Sequence, residues 1–310
     1  MKVVFIGACG HSGQAYDVLS KRADAELCGF ARGCDLESDA AFLPSDVPVF
    51  DSYTDMLDRV RPDLAVVSPV FGKTGEVICT CASRGIDVFS EKPVAGTLAE
   101  LDRVERAVRE SGIRFSAMHY LRVDPAFWQG ARMVREGAIG EVRMLTAQKS
   151  YRFGTRPAWY SDRELFTGII PWVGIHAIDW VYAFSGKRFL SVDAQSFGNP
   201  EMAALCRYSM EDGVMASVNL DYYRPAAAPT HGDDRIRCAG TTGVLEVRDG
   251  KIRLIDASGQ KEIVPDEAPE LLEAFLAGEE ILSPEEIFYL TRVSLLSREA
   301  ADSHATVAIP

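Results

Sequence analysis

KVVFIGACGHSG, residues 2–13, decides the fold. Lys2–Ile6 is a short run rich in Val and Ile, the composition of a strand buried on both faces of a parallel sheet. Gly7, Gly10 and Gly13 follow at once, and Gln14 to Arg22 then reads as an amphipathic helix. A strand, a glycine turn and a helix opening a βαβ unit let the backbone approach a pyrophosphate, which then lies at a positive helix N-terminus. The spacing is GxxGxxG, where GxGxxG is usual. Cys9 stands at the second glycine position and Ser12 at the third. His11, inside the loop, is placed to touch the same ligand. The structural alternative is a tight turn whose glycines supply positive φ.

The second strand, Glu26–Phe30, runs into Ala31 and Arg32. Dinucleotide sites commonly place an acidic residue here, about 20 residues after the loop, to hold the ribose hydroxyls. A carboxylate repels a 2′-phosphate and a guanidinium binds it, so Arg32 favours NADP over NAD. The alternative has Asp35 turning back onto the ribose. Val49–Phe50 and Leu64–Ser68, ended by Pro69, read as further strands. Thr54–Val60 and Thr74–Arg84 read as helices, Asp87–Ser90 as a strand, Leu98–Ser111 as a helix and Arg114–Ala117 as a strand. This alternation implies a parallel sheet with helices on both faces.

The rhythm changes after about residue 120. Pro125–Glu136 reads as a helix with an Asp-Pro start. Long segments follow at Glu141–Tyr151, Phe189–Phe197, Met202–Ser209, Val214–Tyr222, Arg235–Ala239, Val244–Arg248 and Lys251–Asp256. Strands in series, joined by polar turns, predict an open and largely antiparallel sheet. Glu267–Ala277 and Pro284–Ser303 read as helices. The expected organisation is an α/β Rossmann domain over 1–120, followed by an α+β substrate and oligomerisation domain over 121–310.

The 310 residues carry a net charge of −12, divided as −5 over residues 1–118 and −7 over the rest. Neither part is basic, which argues against nucleic acid and anionic membrane as partners. No segment approaches about 18 uninterrupted apolar residues, the length of a membrane span. The opening apolar run is too short for a signal-peptide core. Seven scattered cysteines then read as reduced thiols, and the expected location is the cytoplasm. No His, Cys or carboxylate set has zinc-ligand spacing, so no metal is expected. No Gly-x-Ser-x-Gly nucleophile motif appears.

Ser90-Glu91-Lys92-Pro93 follows a strand and puts Lys92 at the carboxyl edge of the first sheet, where open α/β folds bind ligands. Further along stands Gly174-Ile175-His176-Ala177-Ile178-Asp179. Together with the glycine loop and Val67-Ser68-Pro69, these motifs resemble the glucose–fructose oxidoreductase / inositol dehydrogenase (Gfo/Idh/MocA) family. Arg122-Val123-Asp124-Pro125 and Ile139-Gly140-Glu141-Val142 are smaller matches. The resemblance implies hydride transfer between a nicotinamide and a sugar, polyol or related carbonyl compound, in a homo-oligomer built through the second sheet. By the same resemblance Lys92 polarises the reacting hydroxyl, His176 is the acid/base and Asp179 orients it. Gly7, Gly10, His11, Ser12, Gly13, Ala31, Arg32, Ser68, Pro69, Glu91 and Lys92 would contact the cofactor. An imidazole's ordinary pKa of about 6.5 suits the acid/base role.

The sequence departs from the family at Trp172, where a carboxylate usually stands four residues before the His. Trp accepts no proton, though it stacks on a sugar face or a nicotinamide. Tyr120, Arg122, Tyr151, Trp159 and Trp172 are the expected substrate residues. Arg152, Arg156, Tyr160 and Arg163 extend an aromatic and basic cluster suited to a sugar or a carboxylated compound. Two alternatives stay open: a non-catalytic nucleotide-binding regulator, and a lyase or glycosidase using NAD transiently.

Overall fold

The opening run is strand β1 (Lys2–Ile6), with Val3, Val4, Phe5 and Ile6 fully buried. In the computed structural model, which describes residues 1–37 and 40–310, β1 lies inside a six-stranded sheet. The other strands are β2 (Glu26–Ala31), β3 (Val49–Phe50), β4 (Leu64–Val67), β5 (Asp87–Ser90) and β6 (Phe115–Ala117). Their order is β3-β2-β1-β4-β5-β6 and every pair is parallel. The direction of winding reverses beside β1, between β2 and β4. Ligands of open α/β sheets collect at such a point, beyond the carboxyl ends of the strands. Helices α1 (Ser12–Leu19), α2 (Tyr53–Val60), α3 (Thr74–Ala82) and α4 (Leu98–Ser111) connect the strands. The bounds of α4 coincide with the sequence reading for a local reason. Thr97 caps it by accepting from the Glu100 N–H, and Gly112 closes it at φ +65.

Contacts divide the chain into two units, 1–118 with 162–167 and 270–292, and the remainder. The first unit therefore gathers two later segments, including α6 (Arg163–Phe166) and α8 (Leu271–Ala277). Phe89 and Phe275 pack 5.8 Å apart there, and Phe115 and Phe288 5.4 Å apart.

The second unit is built on a nine-stranded sheet. Its strands are β7 (Val142–Tyr151), β8 (Phe189–Phe197), β9 (Ala203–Met210), β10 (Met215–Asp221), β11 (Gly232–Gly240), β12 (Gly243–Arg248), β13 (Lys251–Asp256), β14 (Gly259–Ile263) and β15 (Val307–Ala308). They run in the order β14-β13-β12-β11-β7-β10-β9-β8-β15. Every pair is antiparallel except β7 with β10, which is parallel. The sheet is thus largely antiparallel, as expected, with β7 placed centrally by a long connection.

Along β9, Ala204, Cys206, Tyr208 and Met210 are buried while Leu205, Arg207 and Ser209 are exposed. That period of two gives the sheet one packed face and one open face. Helices α5 (Pro125–Arg135) and α7 (Ile175–Ser185) pack on it, with Phe127 stacked on Trp180 at 4.0 Å. Asp124 caps α5 by accepting from the Ala126 and Phe127 N–H groups.

A π-helical turn, Ile170–Gly174, leads into α7. The stretch Arg163–Ser185 has the length and apolar composition of a membrane-crossing helix. Within its apolar 18-residue window, 89% is buried inside the protein, as in a core helix.

Candidate functional site

The glycine loop is stitched to both neighbouring strand ends. The Gly7 N–H donates to the Ala31 carbonyl at 2.8 Å and the Cys9 N–H to the Ser68 carbonyl at 2.8 Å. The Ser68 hydroxyl returns a bond to the Cys9 carbonyl. Gly7 has φ +78, and a Cβ there would lie 2.4 Å from the Ser68 carbonyl oxygen and 2.5 Å from the Pro69 Cα. Only glycine satisfies both conditions. Gly10 also has positive φ, at +65. Ser12 opens α1, buried, and Gly13 follows it against Phe42. A turn with this backbone, ahead of a helix N-terminus at the switch of the sheet, fits a dinucleotide pyrophosphate.

His11 occupies the N-cap of α1 but does not cap it with its side chain. Its backbone N–H donates to Glu91 Oε2 at 2.6 Å, and its Nδ1 lies 3.0 Å from both Glu91 oxygens. Glu91 Oε1 also accepts from the Lys92 N–H at 2.9 Å. Burial alone would raise the Glu91 carboxyl. His11, through ring and backbone, and Lys92 outweigh it and hold the group below the usual carboxylate value. A charged Glu91 therefore fixes the glycine loop from the far side of the sheet edge.

Lys92 is 1% exposed, so it is a buried cation and not a surface charge. Arg32 is exposed immediately beyond β2. Asp35, considered for the ribose, is exposed too; the carboxylate that turns inward is Glu37. Its oxygens accept from the Gly33 N–H at 2.8 Å and the Val70 N–H at 2.6 Å. Burial pushes the Glu37 carboxyl up, against those two bonds. Glu37 is invisible to motif reading, because its partner at Val70 is 33 residues away.

In the second unit His176 is the second residue of α7 and 2% exposed. Asp179, one turn on, is fully buried. Its carboxylate meets an imidazole and a guanidinium. Its Oδ2 lies 3.2 Å from Nδ1 of His119, and its Oδ1 accepts from the Arg122 guanidinium, with Nε at 2.8 Å. Burial alone would raise Asp179; Arg122 and His119 overcome it and hold the carboxyl low. Arg122, expected to meet substrate, forms a buried pair with Asp179, since a carboxylate enclosed in a helix core needs a cation beside it. The His119 and His176 rings meet edge-on with centroids 6.3 Å apart, and His119 Nε2 is buried without a hydrogen-bond partner among the described residues. His119 is the residue at this centre that spacing does not reveal.

Trp172 lies on the π turn at 6% exposure, and Trp159 and Tyr160 are buried with ring centroids 4.5 Å apart. Tyr120 begins a 3-10 turn that also carries Arg122. The Tyr151 ring meets Tyr222 at 5.1 Å and His231 at 5.4 Å. Among the described residues, no group of three or more His, Cys, Asp or Glu is placed to hold a metal ion.

A parallel sheet wound 3-2-1-4-5-6 with a glycine loop at its switch point, followed by a mixed open sheet, defines a two-domain Rossmann protein. Residues 1–119 match the model of an oxidoreductase family with an NAD-binding Rossmann fold, and residues 127–246 match the GFO/IDH/MocA C-terminal domain. The chain belongs to the Gfo/Idh/MocA family. It is similar to the NADP(+) scyllo-inositol 2-dehydrogenase of Bacillus subtilis, 27% identical over 43% of this chain and 38% of that one. It is also similar to that organism's NAD(+) scyllo-inositol 2-dehydrogenase, 24% identical over 73% of this chain and 67% of that one. The chain thus spans well under half the length of the first of these relatives. Among solved structures, a Thermotoga maritima protein assigned as an oxidoreductase superimposes with TM-score 0.94 and 35% identity over all of both chains.

Proposed function

We propose that this protein is an NAD(P)-dependent oxidoreductase acting on a CH–OH group of a sugar, polyol or related compound. The observation that carries this reading is the buried Lys92, a cation set beside a charged Glu91 that also clamps the glycine loop. A solvated structural lysine has no need of such a setting. In the oxidative direction Lys92 donates a hydrogen bond to the reacting oxygen and favours its alkoxide character. His176 takes the hydroxyl proton, and returns it when a carbonyl is reduced. The bound nicotinamide would supply the acceptor for the hydride that leaves the same carbon. Asp179 keeps α7 and the Arg122 and His119 side chains in place and takes no proton itself. A non-catalytic regulator would have no chemical use for both Lys92 and His176.

Of the two dinucleotides we assign NADP. Both Glu37 oxygens are engaged by backbone N–H groups, and Arg32 is an exposed cation just beyond β2. Relatives of both preferences exist, one named for NADP(+) and one for NAD(+). Titrating the protein with NADPH and NADH by nucleotide fluorescence is expected to show tighter NADPH binding. Arg32→Ala is expected to weaken NADPH about 10-fold or more, the worth of a charge-assisted contact, with little change for NADH. An equal loss for both would remove Arg32 from 2′-phosphate recognition.

The open sheet face is assigned to self-association. It exposes Leu205 and Met215, with 58% of Met215 accessible, and 70% of Phe197 lies exposed at the end of β8. Light scattering is expected to give a multiple of the chain mass, and Met215→Lys is expected to lower it. A monomer at micromolar concentration would contradict this assignment.

A further inference from the structure

Among the described residues, no carboxylate is paired with the guanidinium of Arg152 or of Arg156, both in the second unit. The Arg156 guanidinium carbon lies 5.2 Å from the Tyr160 ring centroid, 5.8 Å from Phe153 and 5.9 Å from Tyr222. Among the described residues no carboxylate pairs with Arg156, and its Nε is buried without a hydrogen-bond partner. Arg152, four residues earlier, donates to the Ala228 carbonyl, and its Nε is likewise buried and unpartnered. The carboxylate at hand, Asp234, bonds to Lys149 through Oδ2 at 2.8 Å, and its Oδ1 is buried without a hydrogen-bond partner among the described residues. His231 feels the surplus: burial and then the charges of Arg156, Arg152 and Lys149 lower its proton affinity, with Asp234 alone opposing. Two buried Nε donors, with the Arg156 guanidinium set among three aromatic rings, suit one kind of group, a compact anion with several acceptor oxygens.

The cluster is connected to α7. The Lys149 ammonium sits 5.2 Å from the Tyr151 ring and 5.5 Å from the Trp180 ring, and Trp180 is four residues beyond His176 on the same helical face. We propose that Arg156, with Arg152 behind it, receives the carboxylate of the substrate, which is therefore a hydroxy acid of the sugar-acid class. The rings of Phe153, Tyr160 and Tyr222 would lie against its carbon skeleton. This inference rests on the oxidoreductase reading above and narrows its substrate.

The test compares matched compounds: aldonates and uronates, the corresponding neutral sugars, and the sugar phosphates. Turnover is followed by nicotinamide absorbance, and binding to the NADPH complex by calorimetry. The carboxylates are expected to show the highest kcat/KM, with the advantage residing in KM. Arg156→Ala and Arg156→Gln are expected to reduce the carboxylate-to-neutral ratio of kcat/KM about 10- to 100-fold, the range for hydrogen bonds to a charged group. Thermal melts of both variants show whether either has lost its fold, and the ratio is read from the folded one. Preference for neutral sugars or phosphates, or an equal fall for all classes, overturns the proposal. Calorimetric binding of carboxylates that Arg156→Gln abolishes, without turnover of any compound, supports the carboxylate site while rejecting the oxidoreductase reading.

Discussion

Asp179→Ala is expected to destabilise the protein by about 3–5 kcal/mol, because it leaves a buried guanidinium and a buried imidazole facing nothing. Arg122 and His119 both bond to that carboxylate, and all three side chains are buried. At roughly 2–4 °C per kcal/mol for a domain of this size, the melting temperature should fall by on the order of 10 °C. The pH dependence has a definite sign. The folded Asp179 carboxyl lies below its ordinary value of 3.8, so the unfolded chain takes up the proton first. Its contribution is fully present above that value and is lost as pH falls through the lowered one. Asp179→Asn should remove this part of the acid-side slope. Denaturant titrations of wild type and both variants between about pH 3 and pH 7 measure it. A loss below 1 kcal/mol in Asp179→Ala would show that Arg122 finds another anion or water.

The second large effect concerns turnover. Lys92→Ala and His176→Ala are each expected to reduce kcat by about 10²–10⁴, the usual worth of a positioned proton-transfer or electrostatic group. Nucleotide binding should persist in His176→Ala. Unchanged turnover in both single variants would sink the assignment.

Much of the fold is legible in the sequence, wherever the deciding forces are local. β1, β5 and β8 begin and end where the residue pattern puts them, because buried strands and their turn residues stand in contiguous runs. α4 is bounded by its own Thr97 and Gly112. The parallel pairing of β7 with β10 is not legible, since both read as alternating strands and nothing in either names its neighbour. The π turn before α7 is equally hidden, because Ile170–Gly174 carries no residue that demands five per turn.

The site divides in the same way. Motif and strand position together single out Lys92 and the glycines as candidates. The spacing of three that links Asp179 to His176 gives no sign of His119, 60 residues earlier, whose Nδ1 meets the same carboxylate. His119 and Glu37 owe their places to burial and to contacts 33 to 60 residues apart in sequence. Periodicity carries no record of such pairings.

The clamp at Glu91 bears on how such a protein can be rebuilt. Loops that hold nucleotides are often treated as interchangeable cassettes. Here the cassette has a second piece, a single carboxylate 80 residues downstream that grips the residue at the loop's exit. A transplanted loop without a side-chain donor at position 11 would leave Glu91, buried and charged, with only backbone N–H partners from positions 11 and 92. The exchangeable module is thus discontinuous: residues 7–13 and position 91 travel together, and a graft that moves one without the other disturbs the setting of Lys92 as well as the loop.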